Sequence, residues 1–356
     1  MEPALRSIQQ YWNLTPQEKQ QPHAFQIECD VTYYDGNWRM LWVEEEATAA
    51  FITCGELPLP VQSGQRIRVR GTWAGDLTFD QAQIEVVGPA KVRPQSTRGK
   101  IGQPELFKDR FVEVEGLVDR QSVTGPGYLH LNLSCEGRVV YAWVRFDPTR
   151  PVPQWTDRTI RCRGVYNAKL TPAGQLAMLE VMVAGPEAVE VGSALAEDPR
   201  FERPVTLIRA LATTPADQLV RVVGWAKAQA PGRYLRVRDE TGEVELITGQ
   251  TRLCSLDEPV EAIGYPVVQG VNRQLAGGLY RTTKTLRPPV FLTEAGAGRP
   301  LIQVAAQVLE LTPEEARQGH PVLISGVVTW SHPDASFFFV QDASGGVCIN
   351  RGQDTS

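Results

Sequence analysis

The sequence predicts an all-β protein, a tandem array of small five-stranded barrels with short capping helices. Three observations carry that prediction. The chain repeats itself over long distances. Apolar and polar residues alternate along many short runs. Its 31 Gly and 26 Pro recur between those runs instead of filling one tract. Alternation with period two marks strands buried on one face, and spaced turn residues separate such strands.

The repeat is the strongest of the three. The string LTPQEKQQPHAFQIECDVTYY from Leu14 aligns with LTPEEARQGHPVLISGVVTWS from Leu311, 297 positions on. The match runs on without a gap, RMLWVEEEATAAFI against SFFFVQDASGGVCI. Leu14/Leu311, His23/His320, Ile27/Ile324, Val31/Val328, Val43/Val340 and Ile52/Ile349 all coincide. Two middle copies keep the same order of parts. A first strand with a Gly reads RFVEVEGLV and QLVRVVGWA. A hairpin follows, YLHLNLSCEGRVVYAWV and YLRVRDETGEVELIT. A fourth strand reads RIRVRG, TIRCRG and PVEAIG in copies one to three. A fifth follows near Ala82–Val87, Leu176–Val183 and Leu279–Thr285. Five short strands with a leading helix make an OB-like plan.

Turns and caps have their own chemistry. Asp239-Glu240-Thr241-Gly242 and Asp342-Ala343-Ser344-Gly345 suit hairpin turns. Asp bonds its own turn backbone, and Gly accepts the unusual dihedrals. That makes Asp239, Gly242, Asp342 and Gly345 structural. Copy one has Glu45-Glu46-Ala47-Thr48 there, with no Gly. Thr15-Pro16-Gln17-Glu18 and Thr312-Pro313-Glu314-Glu315 are capping boxes, so Thr15, Glu18, Thr312 and Glu315 start helices. Thr214-Pro215-Ala216-Asp217 is a shortened form. His23 and His320 recur before strand one, as residues that cap a helix end would.

Boundaries follow from Pro/Gly/Arg-rich linkers. They give barrel 1 over residues 1–93, barrel 2 over 97–192 and barrel 3 over 201–290. Residues 300–356 hold a leading helix and the first three strands of a truncated barrel 4. Half a barrel leaves the FFFVQ strand short of neighbours. The expectation is a fragment of a longer chain.

Composition narrows the function. The 356 residues are 42% hydrophobic and 22% charged, enough apolar mass for several cores. A net charge of −5 argues against nucleic acid as a partner, since phosphate binding needs a basic surplus. No apolar run is long enough to cross a membrane, and the N-terminus lacks a secretory signal core. The six Cys include no C-x-x-C pair, and only four His are present, which argues against zinc. Cys29 and Cys162 lie in alternating strands as small hydrophobes. No nucleophile elbow, P-loop or H-E-x-x-H is found, so catalytic, cofactor and metal residues are all expected to be none.

Aromatic residues are the best lead. Tyr33, Tyr34, Trp38 and Trp42 crowd the first hairpin of copy one, and Trp330 takes that region in copy four. OB barrels bind ligands on the strand two–three face, where rings stack on bases or sugars. The competing reading puts these rings in barrel cores and between modules.

The string LTPEEARQGHPVLISGVVTWSHPDASFFFVQDASGGVCI resembles the OB-like repeats in extracytoplasmic sensory regions of bacterial membrane histidine kinases and diguanylate cyclases. Leu311–Ile349 fits that pattern closely, Leu14–Ile52 moderately and the middle copies loosely. The resemblance implies a ligand-sensing or spacer ectodomain at a periplasmic location. It also implies a membrane segment and signalling domain elsewhere in the parent, a small-molecule or protein partner, and a homodimer formed through that parent. With no signal peptide or membrane segment in this sequence, a cytoplasmic location stays open. A single-stranded nucleic-acid-binding protein and a carbohydrate-binding adhesion array are the alternative functions. Burial of Trp38 and Trp42 would count against the last.

Overall fold

Alternating sequences can bury one face only by curling round a core, and this chain does so three times. The computed structural model describes residues 4–283 apart from 47, 56, 57, 74, 76, 270 and 271. It also describes 302 and 304–350 apart from 318, 321, 323, 325, 332–336 and 343. The chain divides into two units, Met1–Thr283 and Lys284–Ser356.

Barrel 1 begins with helices α1 (Ile8–Trp12) and α2 (Pro16–Lys19). Five strands follow: β1 (His23–Asp35), β2 (Met40–Glu45), β3 (Thr48–Thr53), β4 (Gln65–Trp73) and β5 (Gln83–Pro89). Their order is β3-β2-β1-β4-β5. Ile27, Cys29, Val31, Leu41, Val43, Ile52, Ile67 and Val69 point inward, and Ile8 and Tyr11 of α1 plug the end against Trp73. The capping box predicted at Thr15 and Glu18 forms on α2, an exposed turn. The plug itself is α1, which the sequence reading did not identify. A strand forms where the fifth was expected, but among the described residues β5 pairs only with β4. A single parallel bridge from Thr53 to Thr78 stands where a closing strand would run.

Barrel 2 has strand β6 (Gln95–Ser96), helix α3 (Pro104–Phe107) and strands β7 (Phe111–Val123), β8 (Tyr128–Cys135), β9 (Arg138–Arg145), β10 (Arg158–Leu170), β11 (Leu176–Val183) and β12 (Val189–Ala194). The fifth strand, β11, runs parallel to β9, and β10 pairs with β7, which completes the ring. Barrel 3 comprises β13 (Val220–Ala230), β14 (Tyr234–Asp239), β15 (Gly242–Ile247), β16 (Pro259–Gln269) and β17 (Asn272–Thr282), a closed barrel. Its last strand starts earlier than expected, and 284–285 lie outside the described residues. Thr214 begins no helix. It follows a 3-10 turn, Ile208–Thr213, and its hydroxyl donates to the Ala210 carbonyl.

The second unit has helices α4 (Ala305–Leu309) and α5 (Pro313–Ala316) and strands β18 (Val327–Ser331), β19 (Phe337–Gln341) and β20 (Gly346–Asn350), in that order. Thr312 and Glu315 form the predicted capping box on α5.

One acid in the turn between strands two and three ties each module's leading segment to its barrel. Glu45 accepts the Ile8 N–H at 2.7 Å, Glu136 accepts Gly99 at 2.6 Å, Asp239 accepts Ile208 at 2.8 Å and Asp342 accepts Ala305 at 2.8 Å. Asp239 and Asp342 use the other oxygen for the turn, taking the Gly242 and Gly345 N–H groups. Glu45 lacks a Gly partner and serves the helix. His23 takes its expected place at a helix end, its Nε2 2.7 Å from the Glu18 carbonyl. All six Cys are free. Cys29 and Cys162 are buried, and burial pushes Cys162 up to about 12.

Candidate ligand face of the second barrel

The strand two–three face recurs in all four modules with four different surfaces. In barrel 1 it is covered. Tyr33 and Trp42 are buried, at 0% and 3% exposure, against Val165 and Met182 of barrel 2. The Trp42 indole donates to Asp109 at 2.9 Å. Glu44 takes the Arg110 guanidinium and the Phe111 N–H, both at 3.1 Å. Burial raises the Glu44 carboxyl above its ordinary value, against those two donors.

Asp35 sits at the centre of this contact, fully buried. It accepts from the Tyr128 hydroxyl at 2.7 Å and from Tyr33 at 3.3 Å, with Arg145 Nε at 3.5 Å. Burial, with the Asp35 carboxylate beside it, pushes the Tyr128 phenol up to about 12. Trp38 stacks flat on Tyr128 at 4.1 Å. Beside them opens a cleft of about 1050 Å³, floored by Tyr34, Tyr128, Arg145 and Phe146. The Tyr34 hydroxyl accepts from Leu59, and its carbonyl accepts from Arg145.

The structure therefore corrects the expected ligand contacts of copy one. Tyr33, Tyr34 and Trp42 are buried, and Trp38 is half-buried between barrels. Tyr33, Trp38 and Trp42 join the modules, while Tyr34 packs in the barrel 1 core beside the cleft. Trp330 differs: it is 46% exposed and stacks on Phe337 at 5.3 Å.

Barrel 2 keeps its own face open. Two rungs cross its sheet by register: Arg120–Asn132–Tyr141–Glu180–Asn167 and Ser122–His130–Trp143–Met182–Val165. Barrel 1 covers the Met182–Val165 end of the second rung. At the other end His130 and Trp143 are half-buried, as is Tyr141 in the first rung. His130 lies nearly parallel to Tyr141 (12°, 5.4 Å) and 4.3 Å from Trp143. Trp143 meets Trp38 edge-on at 5.2 Å, so the rings form a continuous ladder from Tyr128 to Tyr141. Glu180 fixes the ladder, accepting from Trp143 Nε1 and Asn167, both at 3.0 Å, with Lys169 at 3.8 Å. Burial lowers the His130 imidazole below its ordinary value. Exposed Arg120 and Lys169 flank the rings.

The sequence carries a signal for this ladder: in YLHLNLS and VVYAWV the residues between the buried Leu and Val positions are His130, Asn132, Tyr141 and Trp143. Barrel 3 has one half-buried ring on this face, Tyr234, 5.9 Å from the Arg236 guanidinium, and Arg236 stands opposite Glu245.

A second contact joins barrels 2 and 3. Leu117, Leu195, Phe201, Ile263 and Leu279 form its core. Asp119 accepts the Thr251 N–H and hydroxyl, and Arg252 pairs with Asp157. This contact borders the His130 face, where Arg120 donates to the Thr251 carbonyl at 3.5 Å. Among the described residues no cluster of His, Cys, Asp and Glu has a metal-binding arrangement, and no helix is long and apolar enough to cross a membrane.

No protein-family model and no curated protein matches this chain. Solved structures do. A hypothetical protein from E. coli, ygiW, is 14% identical over 23% of this chain and 92% of its own, with TM-score 0.21. A replication protein A heterotrimer bound to ssDNA is 12% identical over 67% and 78%, with TM-score 0.23. A murine DNA-binding protein bound to dsDNA is 15% identical over 50% and 98%, with TM-score 0.20. The tandem OB-like barrel fold stands on the strands described above. The expectation that set nucleic acid aside as a partner is corrected. DNA-bound proteins are among the structures this chain resembles, and net charge says nothing of where the charges lie.

Proposed function

We propose that this chain is a non-catalytic binding scaffold whose ligand is a single-stranded nucleic acid, held on the open face of barrel 2. One observation carries the reading. Of the equivalent faces in the three barrels, only that of barrel 2 offers a half-exposed ring ladder with cations at its edges. Bases stack on such rings with little regard to sequence, at about 1–3 kcal/mol each. Arg120 and Lys169 supply phosphate contacts. Asn132 and Asn167 supply hydrogen bonds at the rim. Barrels 1 and 3 hold barrel 2 by apolar contacts with buried polar anchors, which keeps the face preformed. The test is fluorescence anisotropy with a labelled oligothymidylate at rising salt. Salt-sensitive binding that Trp143→Ala weakens supports the reading, and no binding at low salt removes it.

A second reading is a periplasmic sensory or spacer region of a membrane receptor. It is favoured by the close fit of Leu311–Ile349 to the sensory-repeat pattern and by the joined barrels, which suit a spacer. A gene lacking any membrane segment and signalling domain would end it.

A further inference from the structure

The face that barrel 1 spends on barrel 2 is present again in the second unit and is exposed there. The gapless repeat places Trp330, Phe337 and Phe339 at the positions of Tyr33, Met40 and Trp42. All three barrel 1 residues belong to the cluster packed on Val165 and Met182. Trp330 and Phe339 are 46% and 40% exposed. With Phe337 they form one aromatic patch, with centroids 5.3–6.2 Å apart. Large exposed rings gathered in one patch mark an interaction surface.

The barrel 1 contact shows what such a patch fits: the corner made by the residue that follows the strand-four glycine and its strand-five partner. In barrel 2 that corner is Val165 after Gly164, paired with Met182. The same register in barrel 3 gives Tyr265 after Gly264, paired with Ala276. Tyr265 is 42% exposed. The flanking polar pair changes on both sides. Glu44 meets Arg110 in the first contact, and Gln341 stands at the place of Glu44. Arg110 lies two residues before Val112, which pairs with Gly164. Two residues before Val220, which pairs with Gly264, stands Gln218. A charged pair is thus matched by an amide pair, and both amides are exposed.

We propose that Trp330, Phe337 and Phe339 of one copy dock on the Tyr265 corner of barrel 3 in a second copy, in the manner of barrel 1 on barrel 2. Two different surfaces make this contact, so it is heterologous and propagates head to tail. It is independent of the ligand face on barrel 2.

Sedimentation velocity of the full chain over a concentration series tests it. The expected result is mass growth beyond a dimer. Trp330→Ser/Phe339→Ser and, separately, Tyr265→Ser should each weaken association at least about tenfold, as loss of an anchor does. Circular dichroism and thermal unfolding confirm that each variant is folded. Each variant keeps one good surface, so mixing the two should give a dimer and stop there. A wild-type chain that stays monomeric, or folded variants that both associate as the wild type does, overturns the proposal.

Discussion

Barrel 1 and the second unit are the best-matched copies in the chain, and they use one strand face in opposite ways. Tyr33, Met40 and Trp42 lie between barrels. Trp330, Phe337 and Phe339 lie on the surface. The local sequences are alike: aromatic or apolar at all three positions, and both leading helices tied down by an acid in the same turn. Only the neighbour differs. Burial of an aromatic face is therefore a property of the array and cannot be read from the module. Barrel 2 adds a third case. Its ring ladder starts inside the contact with barrel 1 and runs out onto an open sheet.

The largest expected effect breaks the covered side of this comparison. Trp42→Ala removes a buried indole and strands Asp109, and it should cost about 3–5 kcal/mol in urea unfolding. Trp330→Ala, at the exposed counterpart of this face, should cost well under half of that. Trp143→Ala sharpens the contrast with barrel 2. It should change stability by about 1 kcal/mol yet weaken oligothymidylate binding about tenfold. Tyr128→Phe keeps the stacked ring and loses the hydroxyl, with its bond to Asp35. Its expected cost is about 1 kcal/mol, with binding unchanged.

The smallest effect concerns pH. Burial holds the His130 imidazole below its ordinary value of about 6.5, so the ring is neutral above that pH. Oligonucleotide affinity measured by anisotropy should therefore be flat from about pH 8 to about 6.5, and should rise only below it, where protonation adds a cation. The stability term has the opposite sign. Between the folded and unfolded values the unfolded chain binds more protons, so His130 favours the fold above the unfolded value and loses that contribution as pH falls. A rise in affinity already complete at pH 7 would show a raised imidazole, not a lowered one.

Much of the fold was legible because alternation and repetition are local or self-referential. The 297-residue offset placed both capping boxes, and the IRCRG-type strands placed the fourth strand of each barrel. Barrel 1's missing closure was not legible. QIEVVG reads as a strand whichever neighbour it takes, and here it takes β4 alone. The shortened cap at Thr214 misled for a related reason: a Thr-Pro step that can open a helix can equally end a 3-10 turn. At the candidate site, sequence density pointed to Tyr33–Trp42, where four aromatics sit within ten residues. The half-exposed ladder is dispersed over two strands, and only strand register brings His130, Tyr141 and Trp143 together.

Hydroxyl-radical footprinting of the full chain, read by mass spectrometry with and without oligothymidylate, tests the central claim most directly. Trp143 and Tyr141 should be reactive in the free chain and protected on binding, while Tyr33 and Trp42 stay silent in both states. Reactive Trp42, or protection that falls on barrel 1 and spares barrel 2, would contradict the account.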